Sequence, residues 1–164
     1  MTSTMPHDSL HLGTLLGRAV TALFAVATIF FVLALFDFRV PYKPGFGLII
    51  LATLLGLGAS VWWLGGLAGR AIERRGGAAV AWGPLFGLGT LAISAFLLSL
   101  ASAAQIEHDH AFGLAQAAWD YFGKPLVATM VYGAVPAALI GLLCAATIHG
   151  AIALMRRAPM ADAR

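Results

Sequence analysis

Four stretches of this chain carry no Asp, Glu, Lys or Arg: Ala19–Phe36, Gly45–Gly69, Ala78–Ala104 and Pro125–Met155. An α-helix rises about 1.5 Å per residue, so about 20 apolar residues cross the ~30 Å of hydrocarbon in a bilayer. Each stretch reaches or approaches that length. Every backbone polar group in lipid must be bonded internally, so segments like these must be helices. The sequence therefore predicts an all-α, four-helix transmembrane bundle, up-down-up-down, in a single membrane domain. The expected spans are about 12–36, 46–69, 83–104 and 125–155. Pro84 suits the first turn of the third span, where its missing N–H costs nothing. Pro136 lies inside the fourth, should free the carbonyl of Tyr132 and kink the helix.

Composition excludes the soluble alternatives. The chain is 60% apolar and 10% charged, against about 25% charged residues in an average soluble domain. Its net charge of +3 does not point to nucleic acid, because the basic residues sit at the ends of apolar runs and form no stripe. Cys144 is the only cysteine, so no disulfide within the chain and no CxxC redox or zinc motif is available. The first apolar run is too long for a typical signal core and is read as a span.

Four spans place both termini and the 70–82 connection on one side. That side holds Arg18, Arg70, Arg74, Arg75, Arg156, Arg157 and Arg164, and the other holds Arg39, Lys43 and Lys124. Basic residues favour the cytoplasmic face. The expected location is a bacterial inner membrane, multi-pass, with the N and C termini cytoplasmic. Aromatic residues fall near the same boundaries, with Trp62, Trp63 and Trp82 toward the inner face and Trp119, Tyr121 and Phe122 toward the outer. The segment about 111–122 reads as an amphipathic piece lying in the outer interface, with Phe112, Ala115, Trp119 and Phe122 on one face.

Water does not drive helices together inside lipid; close approach through small residues does. Thr129, Gly133, Ala137, Gly141 and Ala145 recur every fourth residue and so line one face of the fourth span. Gly83 and Gly87 open the third span in GxxxG spacing. Ala52, Gly56, Ser60, Gly65 and Gly69 follow in the second, and Gly13, Gly17, Thr21 and Ala25 in the first. These faces serve either the packing of the bundle itself or the docking of another subunit.

Sites for chemistry are few. No carboxylate or basic residue lies in the expected hydrocarbon core, which disfavours a carboxylate proton relay, a voltage sensor or a paired-aspartate protease. His149 is the one ionisable candidate there. It reads either as a hydrogen-bonded structural histidine or as a contact for haem or quinone. The outer loop brings Glu107, His108, Asp109 and His110, which could ligate a metal in extended structure or simply form a solvated turn. His7 and His11 have helical i,i+4 spacing, and four spans put them on the opposite side from that loop. No catalytic motif occurs, so an enzyme is not expected. The leading expectation is a non-catalytic accessory or assembly subunit that packs against other membrane subunits or itself. The alternatives are a small homo-oligomeric transporter or channel, lined by Thr90, Ser94, Thr129 and Tyr132, and an electron-transfer subunit using His149.

Overall fold

The computed structural model describes residues 9–35, 46–104 and 114–157, and these are helical nearly throughout. Helix α1 spans Ser9–Leu35. Helix α2, Phe46–Ser60, passes through a π turn at Val61–Gly65 into α3, Gly66–Arg75. A 3₁₀ turn, Gly76–Trp82, leads to α4, Gly83–Ala103. The last rod begins with α5, Leu114–Ala118, and passes through a π turn at Trp119–Gly123 into α6, Lys124–Arg157. Three helical stretches are long and apolar enough to cross a membrane: Leu12–Phe30, Gly47–Ala103 and Ala115–Arg156.

Gly47–Ala103 does not run straight. Gly76 ends α3 with φ at 61°, in the left-handed region where a side chain is strained. The chain then reverses, so that Gly56 of α2 lies against Ser94 of α4. Pairing continues around a ring: α1 packs on α3, α2 on α4, α4 on α6 and α6 back on α1.

The seams of this ring are built from backbone. Gly17 of α1 abuts Gly65 and Gly69, and Gly13 abuts Gly69 and Glu73. Gly83 and Gly87 of α4 abut Ala137, Gly141 and Ala145 of α6, while Gly133 stands against Leu91. Large apolar side chains point outward instead: Leu15, Val135 and Leu154 are each 69% exposed, while Ile148 is fully buried. A small-residue interior inside an apolar skin is the pattern expected where the surroundings are hydrocarbon.

Polar contacts lie mostly in the half of the bundle that holds α3. Arg18 Nε donates to the Trp62 carbonyl at 3.1 Å, and its guanidinium lies 3.8 Å over the Trp62 ring. The Gly13 N–H donates to Glu73 Oε2 at 3.1 Å. Arg156 Nη2 donates to the Glu73 carbonyl at 3.3 Å. At the other end Lys124 pairs with Asp120 one turn away.

Helix α6 begins at Lys124, beside the expected start of the fourth span at Pro125, and the segment before it, from Leu114, runs into it without a break. The π turn explains the continuity. Its extra residue lets the Lys124 N–H reach the Trp119 carbonyl just before Pro125, which has no N–H to offer. Residues 111–113 of that segment lie outside the described residues. Its expected apolar face also divides: Ala117 is buried, Ala115 and Trp119 are exposed, and Phe122 meets Phe96 of α4 edge-on at 5.9 Å. The continued helix sets that register, so Phe122 turns toward α4.

Candidate functional site

Where the helical ring closes, its backbones do not meet on the axis. A cavity of about 200 Å³, partly open to the bundle surface, is left between them. Every rod contributes wall: Phe24 from α1, Leu57 from α2, Leu91 from α4 and Ile140 from α6 among the apolar residues. Polar groups come from Thr21, Thr28, Ser60, Thr90, Ser94 and Cys144.

Most of these hydroxyls are already occupied. Thr21 donates to the Gly17 carbonyl at 2.7 Å, Thr28 to Phe24 at 2.8 Å, Ser60 to Gly56 at 2.8 Å and Thr90 to Phe86 at 3.0 Å. Bonding back to the carbonyl four residues earlier is the usual solution for a hydroxyl in an apolar helix. Thr21 Oγ1 also lies 3.7 Å from Cys144 Sγ, joining α1 to α6 across the cavity wall. Ser94 differs: its buried Oγ has no hydrogen-bond partner. An unmatched buried hydroxyl costs about 1–3 kcal/mol. Ser99, one turn and a half further along α4, is also buried and unmatched but does not line the cavity.

The arrangement is chemically narrow. Among the described residues, no carboxylate, amine or imidazole lines the wall, and its one titratable group is the Cys144 thiol. The cavity offers dispersion contacts over most of its surface, and Ser94, whose unmatched Oγ is buried against Gly56 of α2, stands in its wall. For scale, a dry apolar cavity of about 150 Å³ accepts benzene.

The sequence-derived candidates distribute unevenly over this geometry. Thr90 and Ser94 reach the cavity, whereas Tyr132 is 83% exposed on the outer face of α6 and Thr129 does not line it. Tyr132 therefore stands outside the cavity of the single chain. Ala137, Gly141 and Ala145 form both the α4 seam and part of the cavity wall. That small face packs inside the chain, with Gly83 and Gly87 as its partners. His149 is half-buried beside the 3₁₀ turn, its Nε2 3.8 Å from the place a Cβ on Gly77 would take, and does not line this cavity. Glu107, His108, Asp109 and His110, and His7 of the His7–His11 pair, lie outside the described residues.

The signal that sequence reading missed is the pairing of stripes. Thr21, Ser60, Thr90 and Ser94 each stand on the small face of their own helix, and a space bounded by four such faces collects their hydroxyls. No protein-family model matches this chain, and comparison with curated proteins and with solved structures returns no match.

Proposed function

We propose that this chain is an integral membrane protein which crosses the bilayer four times and, without catalysing a reaction, holds a lipid-soluble molecule between its helices. The observation that carries this reading is the cavity, walled by all the rods and apolar, with Ser94 in its wall, whose unmatched hydroxyl a turn about its side-chain bond would aim inward. Such a site selects an apolar body bearing one hydrogen-bond acceptor, such as a carbonyl or an ether oxygen. A quinone-type ring has that chemistry, and its binding here would not involve His149.

Support for four crossings comes from the reversal at Gly76–Trp82. A straight helix of the length of Gly47–Ala103 would extend about 85 Å, far beyond one bilayer. Folded back, it presents Arg70, Arg74 and Arg75 at the same end as Arg18 and Arg156. The positive-inside rule assigns that end to the cytoplasm of a bacterial inner membrane. The bundle is then an up-down-up-down one.

Native mass spectrometry of the full chain, gently extracted from its own membrane, tests the reading. The expected spectrum shows a small added mass, retained about fivefold less well in Ser94→Ala, the loss of one net hydrogen bond. A bare protein mass in every gentle extraction would count decisively against a bound ligand. Flux of the identified molecule in liposomes containing only this protein would extend holding to transport.

A second reading, the non-catalytic accessory subunit, is favoured by open glycines on the outer surface. Gly47 and Gly58 of α2 have nothing within 4 Å of where a side chain would begin. They are about three turns apart and so share a face. Small residues with open space in front of them let another helix approach closely. Gly58→Leu is expected to leave the chain's stability within about 0.5 kcal/mol, as for other open surface sites, while releasing a partner in affinity purification. Unchanged association of that variant removes α2 as the docking face.

A further inference from the structure

The geometry points to a second site, for the phosphate of an anionic phospholipid, at the arginine-bearing end of the bundle. There a pocket of about 480 Å³ opens between the last turns of α3 and the start of α4. Arg70 and Arg74 stand one helical turn apart on one face, with Arg75 beside them, and all three line the pocket. Leu67, Trp82 and Phe86 form the rest of the wall that matters, and Leu67 and Phe86 continue toward the apolar middle of the rods.

Among the described residues the three guanidinium groups make one hydrogen bond and no ion pair. Arg70 Nε donates to the Gly66 carbonyl at 3.3 Å, which leaves its terminal nitrogens free to bond. Among the described residues no carboxylate pairs with Arg70, Arg74 or Arg75. The nearest acid in sequence, Glu73, turns away: its carboxylate accepts the Gly13 N–H and its carbonyl accepts Arg156. Arg74 and Arg75 also lie in the last turn of α3, beside the negative end of the helix dipole. That end carries roughly half an elementary charge, so three guanidiniums leave the pocket strongly positive.

Two features select a lipid phosphate over a free one. The apolar wall of Leu67, Trp82 and Phe86 has no use for inorganic phosphate, whereas it fits the first carbons of an acyl chain. Trp82 is half exposed beside the three arginines, and an indole favours the headgroup boundary of a bilayer. Basic pockets between helices on the cytoplasmic side are known to hold anionic headgroups, and the anionic lipid is concentrated in that leaflet. Arginine's planar fork bonds phosphate oxygens in pairs, which lysine cannot do.

The test uses the full chain in nanodiscs of phosphatidylcholine mixed with phosphatidylglycerol, read by native mass spectrometry on release. Wild-type protein is expected to retain one phosphatidylglycerol in preference to phosphatidylcholine. The triple variant R70Q/R74Q/R75Q should retain it at least about tenfold less, with Lys124→Gln at the far end unchanged. All three arginines are exposed, so the fold should survive, and unchanged helical circular dichroism verifies it. R70K/R74K/R75K keeps the charge without the fork and should fall between the two. Three results overturn the site: equal retention of both lipids by wild type, equal retention by the wild type and either triple variant, or displacement of the lipid by millimolar inorganic phosphate.

Discussion

Gly87→Leu is expected to cost this bundle more than about 3 kcal/mol, the upper end of what overpacking does. The reason is what a side chain at that position would strike. A Cβ on Gly87 overlaps the Ala137 carbonyl oxygen and comes within 2.8 Å of its carbon and 3.1 Å of the Gly141 Cα. All of these are main-chain atoms, so no rotamer change relieves the collision. α4 and α6 must separate or slide, and the seam between them holds Gly83, Gly87, Ala137, Gly141 and Ala145 together. Lipid offers no hydrophobic penalty for parted helices, so lost contact at the seam is lost stability without compensation. Gly58→Leu is the matched control, since the same side chain there meets open space. Denaturant unfolding of both variants in the same bicelles measures the difference directly. Equal stability of the two would mean that α4 and α6 do not meet through this seam.

Ala25→Phe is expected to abolish retention of the cavity ligand, by more than about a hundredfold, while leaving the fold intact. Ala25 sits on α1, half-buried, in the wall of the cavity. A phenyl ring projecting from it would occupy much of the roughly 200 Å³ that a ligand needs. An unfilled cavity of this size corresponds to about 5 kcal/mol by the relation measured for soluble cores. In lipid the dispersion part of that figure is what remains, because there is no water to exclude. Filling the space from within should therefore raise thermal stability in detergent or leave it unchanged. The pairing of outcomes matters: loss of the bound mass with a preserved melting temperature places the ligand in the bundle axis. Retention of the same mass by Ala25→Phe would send the search to the outer surface.

How much of this was legible in the chain follows from which forces are local. The helices were legible because apolar runs without charge must satisfy their own backbone groups. The stripe at Gly133, Ala137, Gly141 and Ala145 was legible because a period of four lines one face. Which stripe meets which was not, since every rod carries one. The structure pairs α6 with Gly83 and Gly87, and α3 with Gly13 and Gly17, closing faces that sequence alone left open to a partner. The start of α6 at Lys124 was legible from Pro125, but its unbroken continuation from α5 through a π turn was not, since nothing in the residues at 119–123 announces one.

For the candidate site the division is similar. Thr90 and Ser94 were recognisable as polar groups on a small face, yet Tyr132 looked equally suitable and points outward. Both hydroxyl types occur on apolar helices, and only the rotation of each rod decides which ones meet. His149 drew attention as the lone imidazole in an uncharged run. Its position beside Gly77, outside the walls of the axial cavity and of the arginine pocket, depends on where the 3₁₀ turn passes.

By itself the sequence determined that the described segments are helical, that their surroundings must be apolar, and where charge stops them. Those properties depend on neighbours within a few residues and on the cost of burying an unpaired backbone or a bare charge, which is the same in any arrangement of rods. The tertiary structure decided that α2 and α3 fold back on α4, that the small faces are consumed internally, that a cavity remains on the axis, and that three arginines converge beside Trp82. These depend on the rotation and offset of whole helices. In an apolar medium such choices turn on a few close backbone contacts, which no stretch of sequence can express alone.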